Sequence, residues 1–138
     1  MVEAIEESLV FIKPDAVAKR YVGEIIHRFE AAELDIIQVK KINMDTTLAD
    51  QHYAEHVHKS FYPSLKDFIT SGPIVVMVLR GSRAIARIRA LCGATNPSDA
   101  EPGSIRSDFG VSMTENAIHA SDSVESARRE ISNFSALF

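Results

Sequence analysis

The sequence predicts an α/β protein in which helices pack on a four-stranded sheet. Short apolar runs typical of strands alternate with apolar residues at helical spacing, in the order β-α-β-α-α-β-α-loop-β-α. No repeat, low-complexity tract or linker interrupts the chain, and its 138 residues suit one domain, residues 1–138. The composition, 46% hydrophobic and 25% charged, is that of an ordinary globular protein. We therefore expect a sandwich with its helices on one face of the sheet, and the periodicity leaves parallel and antiparallel pairing open.

The first half of the chain contains two predicted strands and three predicted helices. Residues 8–12 form an apolar run that suits a buried strand, and residues 13–15 (Lys-Pro-Asp) end it. Residues 34–42 are rich in Ile and Val and predict the second strand. Helical spacing predicts a helix between the strands, through Val22, Ile25, Ile26, Phe29 and Ala32. Thr47 is a candidate cap for a helix that runs to about His58. A further helical stripe follows at Phe61, Leu65, Phe68 and Ile69.

The second half of the chain contains two more strands and two more helices. Residues 73–79 are the clearest strand, and Ser82 is a candidate cap for the helix that follows them and ends at Gly93. Residues 93–110 hold two prolines and predict a long loop of the kind that is often functional. A short strand then leads into His119. The last helix has Asp122 and Glu125 as a capping pair, with one apolar face formed by Val124, Ala127, Ile131 and Phe134.

Charge and cysteine content exclude several classes of protein. The net charge of −4 argues against a nucleic-acid partner but permits a small phosphate-bearing ligand, which needs only a local cluster of cations. The single cysteine, Cys92, excludes an internal disulfide and fits a reducing compartment. The acidic start resembles no signal peptide, and no apolar run approaches the length of a membrane span. We expect a cytoplasmic protein with no membrane partner.

Familiar catalytic motifs are missing from the sequence. It contains neither of the common glycine-rich phosphate loops nor a Gly-x-Ser-x-Gly elbow, and Cys92 falls on an apolar helix face. His52 and His56 have the i,i+4 spacing of a shared metal ligand pair, but no third ligand stands near them in sequence. We therefore interpret the two histidines as an exposed helix face, and we expect no metal ion bound by protein side chains.

His119 is the most prominent candidate for chemistry. It lies between an apolar pair and a helix start rich in Ser and Asp, where backbone N–H groups and the helix dipole favour an anion. A lone histidine is more often structural. Three cations on loops and element ends, Lys13, Arg89 and Arg106, are each ordinary surface charges when taken singly, but together they could converge on a polyphosphate.

Several segments together resemble the nucleoside diphosphate kinase family. They are residues 116–123 (Asn-Ala-Ile-His-Ala-Ser-Asp-Ser), 13–15, 93–97 and 102–106, in the order of the family and at compatible spacing. The resemblance runs over nearly the whole chain. It implies a ferredoxin-like βαββαβ sandwich with a four-stranded antiparallel sheet, which agrees with the predicted order of elements.

The resemblance also implies roles for individual residues. His119 matches the histidine that takes the γ-phosphoryl group of a nucleoside triphosphate such as ATP and passes it to a nucleoside diphosphate. Glu130 matches a carboxylate that orients this imidazole, with Ser121 linked to it, and Tyr53 matches a tyrosine beside the histidine. The phosphate-holding positions correspond to Lys13, Arg89, Thr95 and Arg106, and Lys13 and Asn116 also lie near the ribose. Phe61 matches the aromatic ring on which the base stacks, with Met113 as the opposite wall.

Physical chemistry is consistent with these roles. A histidine of ordinary pKa is largely neutral at cellular pH, so one ring nitrogen can attack phosphorus without a separate base. A carboxylate on the other nitrogen would fix the tautomer, although sequence spacing alone does not choose which carboxylate. Cations and a Mg²⁺ carried on the nucleotide phosphates would neutralise charge. Stacking on Phe61 tolerates any base, so we expect broad specificity. The family resemblance further implies a homo-oligomer, a tetramer or a hexamer.

The sequence departs from the family pattern at two places. Ala120 stands where the family usually has glycine after the histidine, and it would be strained if that position needs a positive φ. The first long helix ends at residues 31–33 (Ala-Ala-Glu), where the family often has glycine, which affects only the helix cap. Two other functions stay open: a nucleotide-binding module without turnover, motivated by Ala120, and a protein-histidine phosphocarrier. Phe61 and Asn116 argue against the second, since they serve only a base and a sugar.

Overall fold

A computed structural model of the chain contains a four-stranded antiparallel sheet. The strands are β1 (Ile5–Ile12), β2 (Asp35–Ile42), β3 (Ile74–Ser82) and β4 (Ile118–Ala120), in the spatial order β2-β3-β1-β4. β3 pairs antiparallel with both β1 and β2, and β4 pairs antiparallel with β1. The structure describes residues 4–138; residues 1–3, part of the acidic start, lie outside that range. The sheet confirms the ferredoxin-like βαββαβ arrangement.

Seven α-helices and two short 3₁₀ turns accompany the sheet within the described residues. The α-helices are α1 (Pro14–Ala18), α2 (Val22–Ala31), α3 (Thr46–His52), α4 (Tyr62–Ile69), α5 (Ala84–Cys92), α6 (Ile105–Phe109) and α7 (Val124–Phe134). The 3₁₀ turns are Pro97–Asp99 and Ser135–Leu137. In the part of the chain that the structure describes, no helix is both long and apolar enough to cross a membrane.

The helices cover both faces of the sheet, so the expectation that they share one face was wrong. Val10 and Ile12 of β1 face a core that includes Ile25 and Phe29 of α2. Leu9 and Phe11 face the opposite core, which includes Leu48 of α3, Ile69 of α4 and Phe134 of α7. The physical reason is visible in the sequence, because the central strands are continuous apolar runs. A strand with one solvated face alternates apolar and polar residues instead.

Three predicted helix caps differ from the observed ones. Asp45, not Thr47, caps α3 by accepting a hydrogen bond from the Leu48 N–H at 2.8 Å, and α3 ends at His52, not at His58. Ser123, not Asp122, caps α7 through the N–H of Ser126. Ser82 belongs to β3, and Arg83 precedes α5 in a left-handed conformation. The cap of α5 comes from another strand: the Glu6 carboxylate accepts from the Ile85 N–H at 3.1 Å.

The segment predicted as a loop, residues 93–110, contains the turn Pro97–Asp99 and the helix α6. Ser104 caps α6 and accepts from the Ser107 N–H. The far end of the segment is tied to α2, because Arg28 forms a 2.8 Å ion pair with Asp108. The segment is therefore held against the body of the protein, and it carries Arg106 on its short helix.

Candidate active site

A cavity of about 520 Å³ opens where β1 ends and β4 begins, beside α3 and α7. Ten of the eleven residues singled out from the sequence line it: His119, Glu130, Tyr53, Lys13, Phe61, Arg89, Thr95, Arg106, Asn116 and Met113. The remaining one, Ser121, is fully buried behind Glu130. The fold thus brings together residues that are more than one hundred positions apart in sequence.

His119 is fixed by the sheet on one side and by α7 on the other. It pairs with Phe11 in the β1–β4 register, and the Phe11 ring stacks on the imidazole with centroids 4.8 Å apart. Nε2 of His119 lies 2.8 Å from Oε1 of Glu130 on α7. The hydroxyl of Ser121 donates to the same carboxylate oxygen at 2.8 Å and accepts from the Leu9 N–H at 3.1 Å. The imidazole therefore has one orientation.

The protonation state of His119 follows from these surroundings. Burial, reinforced by the positive charges of Lys13 and Arg106, lowers the pKa of His119 to about 3. The free imidazole is therefore neutral at cellular pH. Burial also raises the pKa of Glu130, while the hydrogen bond from Ser121 acts in the opposite direction. Because a carboxylate only accepts, the single ring proton sits on Nε2 and Nδ1 keeps its lone pair.

Lys13 lies at the end of β1 and is bound to Asn116. Its ammonium donates to the Asn116 Oδ1 at 2.8 Å, and burial together with the nearby Arg106 lowers the pKa of Lys13 to about 8. The Asn116 amide donates in turn to the carbonyls of Thr95 and Met113, at 2.9 and 3.1 Å. These hydrogen bonds hold the segments before β4 and after α5 beside the end of β1.

Arg89 and Arg106 are oriented by backbone carbonyl groups. Arg106 donates to the carbonyls of Gly93 and Ile118, each at 3.0 Å, and its buried Nε has no partner within residues 4–138. Arg89 donates to the Ala120 carbonyl at 3.3 Å. Among the described residues, neither arginine forms an ion pair with a carboxylate, and neither does Lys13. Their positive charges are thus available to an anion that enters the cavity.

Phe61 and Met113 form apolar walls at the mouth of the cavity. Phe61 directly precedes α4 and is 50% exposed, so it is not a core residue although it begins the helical stripe of apolar residues. Met113 is 58% exposed. Two exposed apolar side chains at one cavity mouth suit a flat aromatic ligand that stacks between them.

His52 is buried in the site, so its interpretation as part of an exposed helix face was wrong. It is 5% exposed, and its ring stands edge-on to that of His119 with centroids 4.5 Å apart. Tyr53 packs against the other side of His52 at 4.6 Å, and burial raises the pKa of the Tyr53 hydroxyl. One sequence feature could have predicted this burial. His52 lies four and three positions after Leu48 and Ala49, on the apolar face of α3.

Backbone strain in this region lies at Ala117 and not at Ala120. Ala120 pairs with Val10 in β4, where the backbone is extended, so the alanine that replaces the usual glycine is not strained. Ala117 has a φ of 75°, and the Ile118 N–H donates across it to the Asn116 carbonyl at 2.9 Å. This is the hydrogen-bond pattern of a γ-turn, and a positive φ is costly for alanine. The Asp15 carboxylate helps to hold the turn by accepting from the Ala117 N–H at 3.2 Å.

A neutral histidine with a free Nδ1, beside three cations that form no ion pair within residues 4–138, can accept a phosphoryl group from a polyphosphate. The exposed apolar pair at the cavity mouth adds a place for a base. Fold and site together define an enzyme of the nucleotide-dependent phosphotransferase class.

Comparison with known proteins identifies the family. The sequence model of a family described as "Nucleoside diphosphate kinase" matches residues 6–136. A nucleoside diphosphate kinase from a Nocardioides species is 52% identical over 124 residues, which cover 90% of this chain and 92% of that protein. One from Pyrococcus horikoshii is 53% identical over 132 residues, 94% of this chain and 84% of that protein. The chain belongs to the nucleoside diphosphate kinase family.

Solved structures agree with this assignment. The nucleoside diphosphate kinase of Aquifex aeolicus superimposes with a TM-score of 0.93 at 40% identity, and the match covers 95% of each chain. A halophilic one from Halobacterium salinarum, solved in complex with CDP, gives 0.92 at 41% identity, with 95% of this chain and 88% of that chain covered. The activity is that of the family: the γ-phosphate of a nucleoside triphosphate passes to a nucleoside diphosphate through a phosphohistidine, with a divalent metal ion.

Proposed function

We propose that His119 is the residue that carries the phosphoryl group. The observation that supports this most directly is the 2.8 Å contact between His119 Nε2 and Glu130, which leaves Nδ1 as the free nucleophile. In the first half-reaction the Nδ1 lone pair forms a bond to the γ-phosphorus. The bond from that phosphorus to the β–γ bridging oxygen breaks, and the nucleoside diphosphate leaves with the electron pair. In the second half-reaction a β-phosphate oxygen of the acceptor attacks the phosphohistidine, and Nδ1 leaves.

Glu130 and Ser121 are proposed to hold the ring of His119 in the orientation and protonation state that this reaction needs. The phosphorylated imidazole keeps its proton on Nε2 and becomes cationic, so the carboxylate stabilises it more than it stabilises the neutral ring. Ser121 fixes the carboxylate by donating to the oxygen that contacts Nε2. Tyr53, which lines the cavity and packs against His52, is proposed to help position the residues beside His119.

The phosphates are proposed to bind among Lys13, Arg89, Thr95 and Arg106. Both guanidinium groups are already oriented by carbonyl groups, so little reorganisation is required when an anion arrives. Asn116, held by two carbonyls and by Lys13, is proposed to hydrogen-bond the ribose. Phe61 and Met113 stack on the base without reading its edges, which supports broad base specificity.

We propose Mg²⁺ as the divalent metal, carried on the nucleotide phosphates. Mg²⁺ prefers oxygen ligands and is usually bound by substrate phosphates with one or two carboxylates. The part of the cavity near Lys13 and Arg106 offers cations and an amide, a donor set that does not fit a protein-held Mg²⁺. Phosphate oxygens fit it, and the ion supplies charge neutralisation during transfer.

We further propose a homo-oligomer, a tetramer or a hexamer, in the cytoplasm. The free edge of β2 carries two exposed apolar side chains, Ile37 at 44% and Val39 at 51%, which suit contact with another copy of the chain. The buried, unpaired Cys92 fits a reducing compartment. Light scattering on the purified protein measures the assembly, and a monomeric mass would contradict the first of these proposals.

The test of the proposed carrier is transfer of radioactive phosphate. Protein incubated with ATP labelled at the γ-phosphate should carry one label at His119 and lose it on addition of GDP or dTDP. The His119→Ala variant should take up no label, whereas His27→Ala, a matched change on the exposed face of α2, should behave as wild type. Label that persists in His119→Ala would refute the proposal. Nucleotide binding without label would indicate a binding module, and label that moves only to other proteins would indicate a phosphocarrier.

A further inference from the structure

His52, His119 and Glu130 form a cluster that the phosphoryl-transfer reaction does not fully account for. One ligand atom from each of the three lies within 4.8 Å of the others. The residues come from α3, β4 and α7, so the cluster exists only in the folded chain. The sequence offered no third ligand for a metal site at His52 and His56. In the fold, the partners of His52 are His119 and Glu130, and His56 is not part of the cluster.

A second, independent observation indicates that His52 binds a ligand. Its ring is almost fully buried, and its Nδ1 has no hydrogen-bond partner within residues 4–138. A buried nitrogen without a partner is destabilising, since most buried polar groups in proteins are hydrogen-bonded. The ring also lines the cavity, so a small ligand can reach it from solvent.

We propose that His52, His119 and Glu130 bind a divalent cation of the Zn²⁺ type. Two imidazole nitrogens and one carboxylate oxygen form a ligand set typical of catalytic zinc sites, which keep a fourth position open. That position would face the cavity and take a water molecule. This proposal stands on the cluster alone and does not rest on the proposed role of His119.

The geometry requires a moderate rearrangement. Ligands about 2.1 Å from a tetrahedral zinc are roughly 3.4 Å apart, so the widest separation of 4.8 Å must shorten. His119 Nε2 and Glu130 Oε1 already lie 2.8 Å apart. Lys13, Arg89 and Arg106 oppose any cation in this cavity, so we expect micromolar affinity rather than the tighter binding of structural zinc sites. Mg²⁺ should not compete, because it prefers six oxygen ligands.

The first experiment is calorimetric titration of tag-free protein with ZnCl₂, without nucleotide and with millimolar Mg²⁺ present. We expect one Zn²⁺ per chain in the wild type. The His52→Asn and Glu130→Gln variants should bind it at least about tenfold more weakly, and circular dichroism checks that they are folded. His56→Asn is the matched control on the same side of the cavity and should bind as wild type. Equal affinity in His52→Asn, or loss of binding in His56→Asn, would overturn the proposal.

A second experiment needs no variant. Diethyl pyrocarbonate modifies accessible histidines, and mass spectrometry locates each modification. Zn²⁺ alone should protect His119 and leave the exposed His27 unprotected, and Mg²⁺ alone should protect neither. Modification of His119 at an unchanged rate in saturating Zn²⁺ would refute the site. Because neither experiment measures phosphoryl transfer, failure of the zinc site and failure of the proposed kinase mechanism remain distinguishable.

Discussion

Replacement of Glu130 by glutamine changes one feature of the site, the negative charge that faces Nε2 of His119 at 2.8 Å. Glutamine keeps the size of the side chain. Its Oε1 can still accept from the Ser121 hydroxyl, which contacts that oxygen in the native carboxylate at 2.8 Å. The ring proton therefore stays on Nε2, and Nδ1 remains free. The substitution removes charge stabilisation from the phosphorylated, cationic imidazole and leaves the neutral imidazole nearly unaffected.

The free energy of stabilisation that the phosphorylated ring loses in Glu130→Gln lies between two limits. A hydrogen bond to a charged group contributes about 1.5–3 kcal/mol and a neutral one about 0.5–1.5 kcal/mol, so a typical loss is about 1 kcal/mol, which we take as the lower end. Unit charges about 4 Å apart attract by about 4 kcal/mol at an effective dielectric constant of 20, which sets the upper end. A value of about 2–3 kcal/mol between these limits corresponds to phosphorylation roughly 30- to 160-fold slower.

Rapid-quench measurement of phosphohistidine formation in a single turnover tests this value. The rate constant should fall by that factor in Glu130→Gln, while the ATP concentration for half-saturation changes little, because Glu130 does not face the phosphates. Glu125→Gln, on the exposed side of the same helix, is the control and should stay within about twofold of wild type. A folded Glu130→Gln variant that phosphorylates at the wild-type rate would show that the carboxylate does not stabilise the reacting ring.

Three further predictions concern pH, base binding and stability. Because the pKa of His119 is lowered to about 3, the single-turnover rate should be nearly constant from pH 7 to pH 6, a range in which Lys13, with a pKa of about 8, stays charged. A histidine of ordinary pKa 6.5 would lose about threefold over that range, and such a loss would contradict the neutral ring. Phe61→Ala should raise the KM for nucleotides by roughly 5- to 150-fold, from a stacking contribution of about 1–3 kcal/mol. The midpoint of denaturant unfolding should hardly move, since Phe61 is half exposed, and an unchanged KM would exclude stacking. Glu33→Gly should raise the free energy of unfolding by about 1 kcal/mol, because Glu33 has a φ of 63°. Ala32→Gly, at a φ of −87°, should lower it, and the same sign for both would refute the argument from backbone conformation.

Much of the fold and of the site could be predicted from the sequence, because neighbouring residues determine the strands and helices and the motifs match those of a known family. Apolar runs predicted β1, β2 and β3, and a short strand was expected to lead into His119, where β4 lies. The segment around His119 predicted the chemistry. The cap of α5 could not be predicted, because it comes from the carboxylate of Glu6, 79 positions away. The same limit applies to Glu130, since residue spacing along α7 does not show that its side chain turns back to His119.

Other differences concern local patterns that can be interpreted in two ways. The run at residues 8–12 lacks the apolar–polar alternation of a strand with one solvated face, so it already indicates that both faces of the strand are covered. His52 has the spacing of an exposed pair with His56 and also that of an apolar face with Leu48. The choice depends on where α3 packs, which is a property of the whole fold.

The like charges of the cavity make the stability of the protein depend on whether a ligand is bound. Burial lowers the pKa of both Lys13 and Arg106, and the neighbouring charges of Arg106 on Lys13 and of Arg89 on Arg106 lower it further, so the three cations repel one another in the free protein. A bound polyphosphate relieves this repulsion and in addition stabilises the native state by mass action. A substitution that neutralises one of these cations would relieve the repulsion and so stabilise the free protein. The same substitution would lower the affinity for phosphate. Selection for thermal tolerance and selection for turnover thus act in opposite directions on the same few side chains.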